Sequence, residues 1–192
     1  MRCGILFISA DLTEAIYDQA FIGLFVLGLF LSMASNAQTA VPAEGSSAPT
    51  FKLTSNEGKQ VSLKDYKGKF VVLYFYPKDF TSGCTLEAKN FERDIAKYEA
   101  AKAVVLGVSV DTADSHKEFC TKEGLSFKLL SDTDAAVSTA YGSVMEYNGA
   151  KLSARNTFII DGKGKIVRVF TKVKPNGHSD EVLAALAELK KS

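Results

Sequence analysis

The stretch KFVVLYFY, Lys69–Tyr76, constrains this chain more than any other. After Lys69 every residue is β-branched, leucine or aromatic, so the run offers no polar alternate to turn toward water. It reads as a strand buried on both faces, and Pro77 stops it. Such a strand needs packed structure on each side of its sheet. VVLGVSV, Val104–Val110, reads as a second strand of this kind, and FKLL, Phe127–Leu130, suggests a third. Between the first two, Ala88, Phe91, Ile95 and Tyr98 recur at helical spacing and predict one amphipathic helix from about Cys84 to Ala101. Thr112 can cap a helix running through His116, Phe119 and Cys120 toward Gly124. Ser131, three residues before Asp134, predicts a capping box for a short helix ending near Gly142. NTFIID and KIVRVF, separated by GKG, predict an antiparallel hairpin from Asn156 to Phe170. SDEVLAALAELKK predicts a closing helix capped by Ser179, with Val182, Leu183, Leu186 and Leu189 on one face. Upstream, Thr50–Thr54 and Lys59–Leu63 flank SNEG as a small hairpin at one end of the sheet. The sum is an α/β sandwich with a mixed central β-sheet flanked by helices.

At 192 residues with 46% hydrophobic and 23% charged, the chain has material for one core. Its formal net charge is +1, and no basic stripe with interleaved aromatics tracks along it, so nucleic acid is an unsuited partner. The first 37 residues differ from the rest. AFIGLFVLGLFLSMA, residues 20–34, is uncharged, apolar and shorter than a membrane span requires. Ser35 and Ala37 then offer a cleavage site, so residues 1–37 read as a secretory signal peptide, residues 38–48 as a linker and residues 49–192 as the folded domain. Against this, Arg2 is the only basic residue ahead of the run, while Asp11, Glu14 and Asp18 are acidic. The alternatives are an uncleaved N-terminal anchor, or a cytoplasmic protein whose true start lies downstream. Cleavage after Ala37 removes Cys3 and leaves Cys84 and Cys120 in a compartment where disulfides persist, the periplasm of a bacterium.

Cys84 lies in SGCTLEA, at the mouth of the expected helix. There it faces unsatisfied backbone N–H groups and the positive end of the helix dipole, which favour thiolate over thiol. An inert buried cysteine is the alternative. The surroundings argue for reactivity: Pro77 closes the strand, Thr81 brings a hydroxyl one turn ahead of the sulfur, and Gly83 lets a small ligand approach the backbone. A general disulfide oxidoreductase carries C-x-x-C, and here the first of those positions is Thr81.

PKDFTSGC, Pro77–Cys84, matches the peroxiredoxin pattern P-x-x-x-T-x-x-C, and YFYPKD before it and CTLEA after it resemble the bacterioferritin-comigratory, or PrxQ, branch. GVSVD, SHKEF, GLSFKLLSD and ARNTFIIDGKGKI resemble further blocks of that family in order, and the likeness extends over about residues 45–189. The resemblance implies a thioredoxin-like fold and a thiol-dependent peroxidase in which Cys84 attacks a hydroperoxide and becomes a sulfenic acid. It implies that Thr81 and the Gly83 and Cys84 amides orient the peroxide, that Pro77 shields the pocket, that Arg155 stabilises the thiolate and the leaving oxygen, and that Glu87 holds the arginine. A surface ion pair is the bland alternative for Arg155.

The family likeness also implies a thioredoxin-like reductant and a soluble monomer, with neither cofactor nor metal. Two departures stand out. Phe80 and Ser82 replace a polar residue and a proline, and Lys89 occupies the place where many members carry a resolving cysteine. A subgroup carries that cysteine on the next helix, which makes Cys120 the resolving candidate. Cys120 could equally be core packing, leaving a one-cysteine enzyme resolved by an external thiol. A non-catalytic thioredoxin-fold module with a structural disulfide is the remaining reading. His116 and His178 have no metal-ligand partners at suitable spacing and are expected on solvent-exposed helix positions, and Asp111 is expected to cap or turn.

Overall fold

The computed structural model describes residues 40–191; the leader expected at residues 1–37, with its cleavage site, lies outside the described residues. Seven strands form one mixed sheet: β1 (Lys52–Ser55), β2 (Gln60–Ser62), β3 (Phe70–Phe75), β4 (Ala103–Ser109), β5 (Lys128–Ser131), β8 (Thr157–Ile160) and β9 (Ile166–Phe170), in the order β2-β1-β5-β4-β3-β8-β9. β3 lies parallel to β4, as β4 does to β5, while β1, β2, β8 and β9 are antiparallel to their neighbours. The N-terminal hairpin therefore extends the sheet at its edge. A separate hairpin, β6 (Val144–Tyr147) with β7 (Ala150–Ser153), had no counterpart in the sequence reading. Its residues are largely exposed, so no apolar alternation announces it.

Strand β3 is central, between β4 and β8. Val72, Tyr74 and Tyr76 point into one apolar cluster, Val71, Leu73 and Phe75 into the other, and all six are essentially inaccessible to water. Burying side chains of this size contributes about 1.5–3 kcal/mol each, which is why the alternation sets the two-layer arrangement. The first cluster contains Cys84, Phe91, Phe119, Cys120 and Leu186. These come from α1 (Ser82–Arg93), α3 (Ala113–Glu123) and α5 (His178–Leu189), so these helices share one face of the sheet. α4 (Ala136–Ala140) abuts the other, where Tyr141 stacks edge-on against Phe158. The segment expected as a linker is docked: Ser47 bridges to Lys165, Gly45 N–H donates to the Ile166 carbonyl, and Ala48 is buried.

Three expected local details differ. The helix after Cys84 does not run unbroken to Ala101. It stops at Asp94, and α2 (Ile95–Ala100) restarts there. Asp94 is buried, and its carboxylate accepts from Arg93, from Lys97 Nζ at 2.7 Å and from Ser179 Oγ at 2.9 Å, so the side chain fixes the bend. That bond explains the second difference: Ser179 does not cap α5 but sits in its first turn, between Asp94 and the Tyr98 hydroxyl, and Gly177 occupies the cap with φ +78°. Third, Ser131 does not cap α4. Its hydroxyl donates to the Asp111 carbonyl, and Asp132 accepts from the Val137 and Ser138 amides instead. Thr112 caps α3 as expected, accepting from Ser115 N–H, and Gly124 closes it in the left-handed region.

The hydrogen bond from Arg93, aided by Lys97 and Ser179 against the cost of burial, holds the Asp94 carboxyl well below the usual carboxylate range. Its contribution is complete above the unfolded carboxylate pKa near 4 and is lost as pH falls below that. Asp94→Asn is expected to lower stability by about 1–2 kcal/mol at pH 7, the lower part of the range for charge-assisted bonds because Arg93 and Lys97 are half-exposed. Urea melts at pH 7 and pH 2.5 check this, with the gap between variant and parent narrowing at the lower pH.

Candidate active site

Pro77 is half-buried at the end of β3, and the loop that follows is pinned before α1 begins. Asp79 is buried; its Oδ1 accepts from the Tyr76 hydroxyl (2.7 Å) and its Oδ2 from Ser115 Oγ (2.7 Å) and His116 Nδ1 (2.8 Å). Its own amide donates to Asp111 Oδ2 at 2.9 Å, which gives Asp111 the turn-forming role expected of it. Phe80 takes φ +61°, a left-handed conformation costing about 1–2 kcal/mol for a residue with a side chain. Its ring meets Phe119 edge-on at 5.1 Å, with Lys122 Nζ 5.4 Å above it.

α1 starts at Ser82 with Thr81 as an extended N-cap residue. Thr85 N–H donates to the Thr81 carbonyl, so the Ser82, Gly83 and Cys84 amides precede the first intrahelical bond and are directed at the helix mouth. Cys84 is 1% exposed, yet its sulfur lies against this positive helix end. The Thr81 hydroxyl is exposed and donates to the Lys78 carbonyl at 3.1 Å, which leaves its lone pairs facing outward as acceptors.

Arg155 reaches Cys84 from the turn between β7 and β8. Asn156 anchors that turn, donating from Nδ2 to Ser143 Oγ and accepting at Oδ1 from Lys172 N–H, while the Arg155 carbonyl accepts from Val173 N–H. Arg155 Nη2 donates to Cys84 Sγ at 3.1 Å and Nη1 to Glu87 Oε2 at 2.5 Å. The expected trio of Cys84, Arg155 and Glu87 is thus in contact. Gly83 has a different use from the one expected: a Cβ there would lie 3.0 Å from Arg155 Nη2, so the missing side chain admits the guanidinium. Glu87 is 1% exposed, and its Oε1 has no hydrogen-bond partner among the described residues. Burial pushes its carboxyl up to about 7 against the opposing pull of Arg155.

Cys120 lies on α3 in the same apolar cluster as Cys84, and both are free thiols. Burial, with Asp79 and Glu92 nearby, pushes the Cys120 thiol up to about 12. Lys89, at the usual resolving position, pairs with Glu123 at 3.0 Å and links α1 to α3. The expectation for the histidines is overturned: His116 and His178 are both fully buried. His178 Nε2 lies 2.9 Å from Thr157 Oγ1 and Nδ1 3.1 Å from Glu181, and burial lowers its pKa, so a neutral ring serves as packing. The signal was in the stripes: His116 shares one with Phe119 and Cys120, and His178 one with Val182 and Leu186. Among the described residues no cluster of His, Cys, Asp and Glu could hold a metal, and no helix is long and apolar enough to cross a membrane. The cleft of about 460 Å³ lined by Ala48, Leu63, Tyr66, Val71 and Gly162 contains none of these site residues.

A thiol at a helix N-terminus, facing a guanidinium in a thioredoxin-like fold, defines a thiol-based redox protein. The AhpC/TSA family matches residues 45–169. The chain is 45% identical over 146 residues to the putative peroxiredoxin bcp of Helicobacter pylori, covering 74% of this chain and 96% of that one. To peroxiredoxin Bcp of Xanthomonas campestris it is 41% identical over 145 residues, covering 72% and 91%. Among solved structures, peroxiredoxin Q of X. campestris superposes with a TM-score of 0.68 at 41% identity over 72% of this chain and 90% of that one. A cysteine-to-serine mutant of PrxQ of Xylella fastidiosa superposes with a TM-score of 0.71 at 34% identity, covering 78% and 99%. The chain belongs to the peroxiredoxins, in the BCP/PrxQ subfamily, and is a thiol peroxidase that reduces hydroperoxides.

Because Glu87 is protonated more readily in the fold than the 4.5 of a free glutamate, the native state binds the extra proton and stability falls as pH rises from about 4.5 to about 7. Glu87→Gln keeps an acceptor for Arg155 and removes the titration. Thermal unfolding between pH 4.5 and 7.5 is expected to show a shallower loss of stability in the variant than in the parent.

Proposed function

We propose that Cys84 is the peroxidatic cysteine of this enzyme and Cys120 its resolving cysteine. The observation that carries the first assignment is the 3.1 Å hydrogen bond from Arg155 Nη2 to Cys84 Sγ, with Glu87 buried behind the guanidinium. The Cys84 thiolate attacks the terminal peroxide oxygen; an S–O bond forms, the O–O bond breaks, and the departing oxygen takes a proton to leave as water or an alcohol. Arg155 faces the sulfur on which negative charge sits at the start and the oxygen on which it develops. Thr81 accepts the peroxide O–H, the Gly83 and Cys84 amides donate to its oxygens, and Pro77 walls the pocket.

Cys120 then displaces the hydroxyl from the sulfenic acid, giving an intramolecular disulfide. Its place in the cluster that holds Cys84 supports this. So does the spacing: the cysteines replaced in two X. campestris peroxiredoxin Q variants are 36 positions apart, as Cys84 and Cys120 are here. A disulfide needs Cα atoms within about 7 Å, and the first turns of α1 are the segment whose opening brings the sulfurs together. A thioredoxin-like dithiol reduces the bridge. The apolar run at residues 20–34 supports export, with that reductant in the same compartment. Hydrogen peroxide and organic hydroperoxides are the substrates. Phe80 and Leu86, four positions before and two after Cys84, are exposed apolar side chains that suit an alkyl tail, and the related X. campestris bacterioferritin comigratory protein is described as having alkyl peroxide reduction activity.

Two variants test the assignments. Arg155→Ala is expected to slow oxidation of Cys84 by about 10²–10³-fold in stopped flow; a rate equal to the parent removes the arginine from the site. Cys120→Ser is expected to gain one oxygen at Cys84 and form no intramolecular bridge by intact mass and non-reducing peptide mapping. A bridge that survives excludes Cys120.

A further inference from the structure

We propose that His116 is the general base of the resolving step, its bare Nε2 taking the Sγ proton of Cys120 as that sulfur attacks the sulfenic acid on Cys84. This inference rests on Cys120 as the resolving cysteine.

His116 is completely buried, and its two nitrogens are treated differently. Nδ1 lies 2.8 Å from Asp79 Oδ2 and 3.3 Å from the Tyr76 hydroxyl, while Nε2 has no hydrogen-bond partner among the described residues. A carboxylate that accepts from Nδ1–H leaves the lone pair on Nε2, and it stabilises the imidazolium that forms when Nε2 takes a proton. Asp79 is itself over-determined by Tyr76, Ser115 and, through its amide, Asp111, so the ring is held in this orientation. A buried nitrogen without a partner costs free energy, and structural packing alone does not require it.

The thiol this base serves is on the same helix. His116 and Cys120 are four residues apart on the buried stripe of α3, about one helical turn, so the two side chains are neighbours on the same helix face. No hydrogen bond joins them in the reduced fold; the transfer accompanies the rearrangement that brings the two sulfurs together. The need for a base is plain, since a thiol that is buried with Asp79 and Glu92 nearby ionises only with difficulty. From β3 the Tyr74 hydroxyl, also buried without a hydrogen-bond partner among the described residues, lies within electrostatic reach of Glu87, Cys120, Cys84 and Asp79 and offers no competing base at neutral pH. From α1, Glu92 is engaged by Ser126.

The step balances without a further reagent. The Cys120 S–H proton passes to Nε2, the new thiolate attacks Cys84 Sγ, the S–S bond forms as the S–O bond breaks, and the departing hydroxide takes a proton back from the imidazolium. Cys120–SH and Cys84–SOH thus become one disulfide and one water, and His116 ends neutral.

The test uses the reduced protein with one equivalent of hydrogen peroxide, quenched at intervals with a thiol-blocking reagent from pH 6 to 9 and read by intact mass. Oxygen gain at Cys84 and loss of two hydrogens on bridging are then separate steps of one trace. His116→Asn retains a side-chain N–H for Asp79 but has no basic nitrogen. Relative to the oxygen-gain step, bridging in this variant is expected to slow at least about tenfold and to rise about tenfold per pH unit, where the parent levels off. Bridging within about twofold of the parent with the same pH profile overturns the proposal. Should His116→Asn fail to fold, Asp79→Asn decides: slower bridging is expected, and an unchanged rate and profile overturns it. A parent that forms no Cys84–Cys120 bridge overturns the resolver assignment and this inference together, whereas a parent that bridges beside an unaffected variant overturns this inference alone.

Discussion

The site hangs on one contact, Arg155 Nη2 against Cys84 Sγ, and much of the surrounding architecture serves to make it. The two residues are 71 positions apart and meet only because β3 and β8 are neighbours in the sheet. β3 delivers Pro77 and the start of α1; β8 begins just after Arg155. Phe75 N–H donates to the Asn156 carbonyl where these strands separate, so the backbone that carries the arginine is stitched to the backbone that leads to the cysteine. Gly83 clears the path and Glu87 fixes the far side of the guanidinium. The long-range pairing of central strands therefore sets the electrostatics of one sulfur.

A tension runs through the same region. In the proposed mechanism Cys84 is held tightly to be reactive, and it is released for its sulfur to reach Cys120. The fold accommodates both by uneven anchoring. The loop around Asp79 is locked to α3 through Ser115 and His116, and α1 is tied further along through Lys89–Glu123 and Glu92–Ser126. Between these anchors lie Phe80, in a strained left-handed conformation, and Thr81, Ser82 and Gly83, which are exposed or half-exposed. Ser82 in place of a proline at the first helical position leaves that turn less pre-organised. The opening proposed for resolution falls on this first turn of α1, between the two sets of anchors.

Much of the architecture was legible because it follows from burial and spacing. The double-faced burial of β3, the stripe of α3 with its Thr112 cap and Gly124 stop, and the β8–β9 hairpin all appear at or near their expected bounds. Cys84, Arg155 and Glu87 were legible through the family pattern, and the structure brings them into contact. Two misses share a cause. Ser179 and Ser131 are small polar residues whose local capping logic was overridden by partners distant in sequence, Asp94 and Asp111, which no spacing rule exposes. The exposed β6–β7 hairpin lacks an apolar alternate to mark it. His116 and His178 were expected on the surface because they lack metal-ligand partners at suitable spacing, although each falls on a buried stripe and finds a partner inside, Asp79 for His116 Nδ1 and Thr157 for His178 Nε2.

The proposal that this geometry makes Cys84 a peroxide-reactive thiol can be tested on the reduced protein alone. The most direct measurement is the second-order rate constant for hydrogen peroxide with the fully reduced protein, taken by stopped flow beside free cysteine at the same pH. A constant several orders of magnitude above that of free cysteine is expected, with the fast reaction complete at one oxidising equivalent per chain. A constant comparable to that of free cysteine would contradict the proposal.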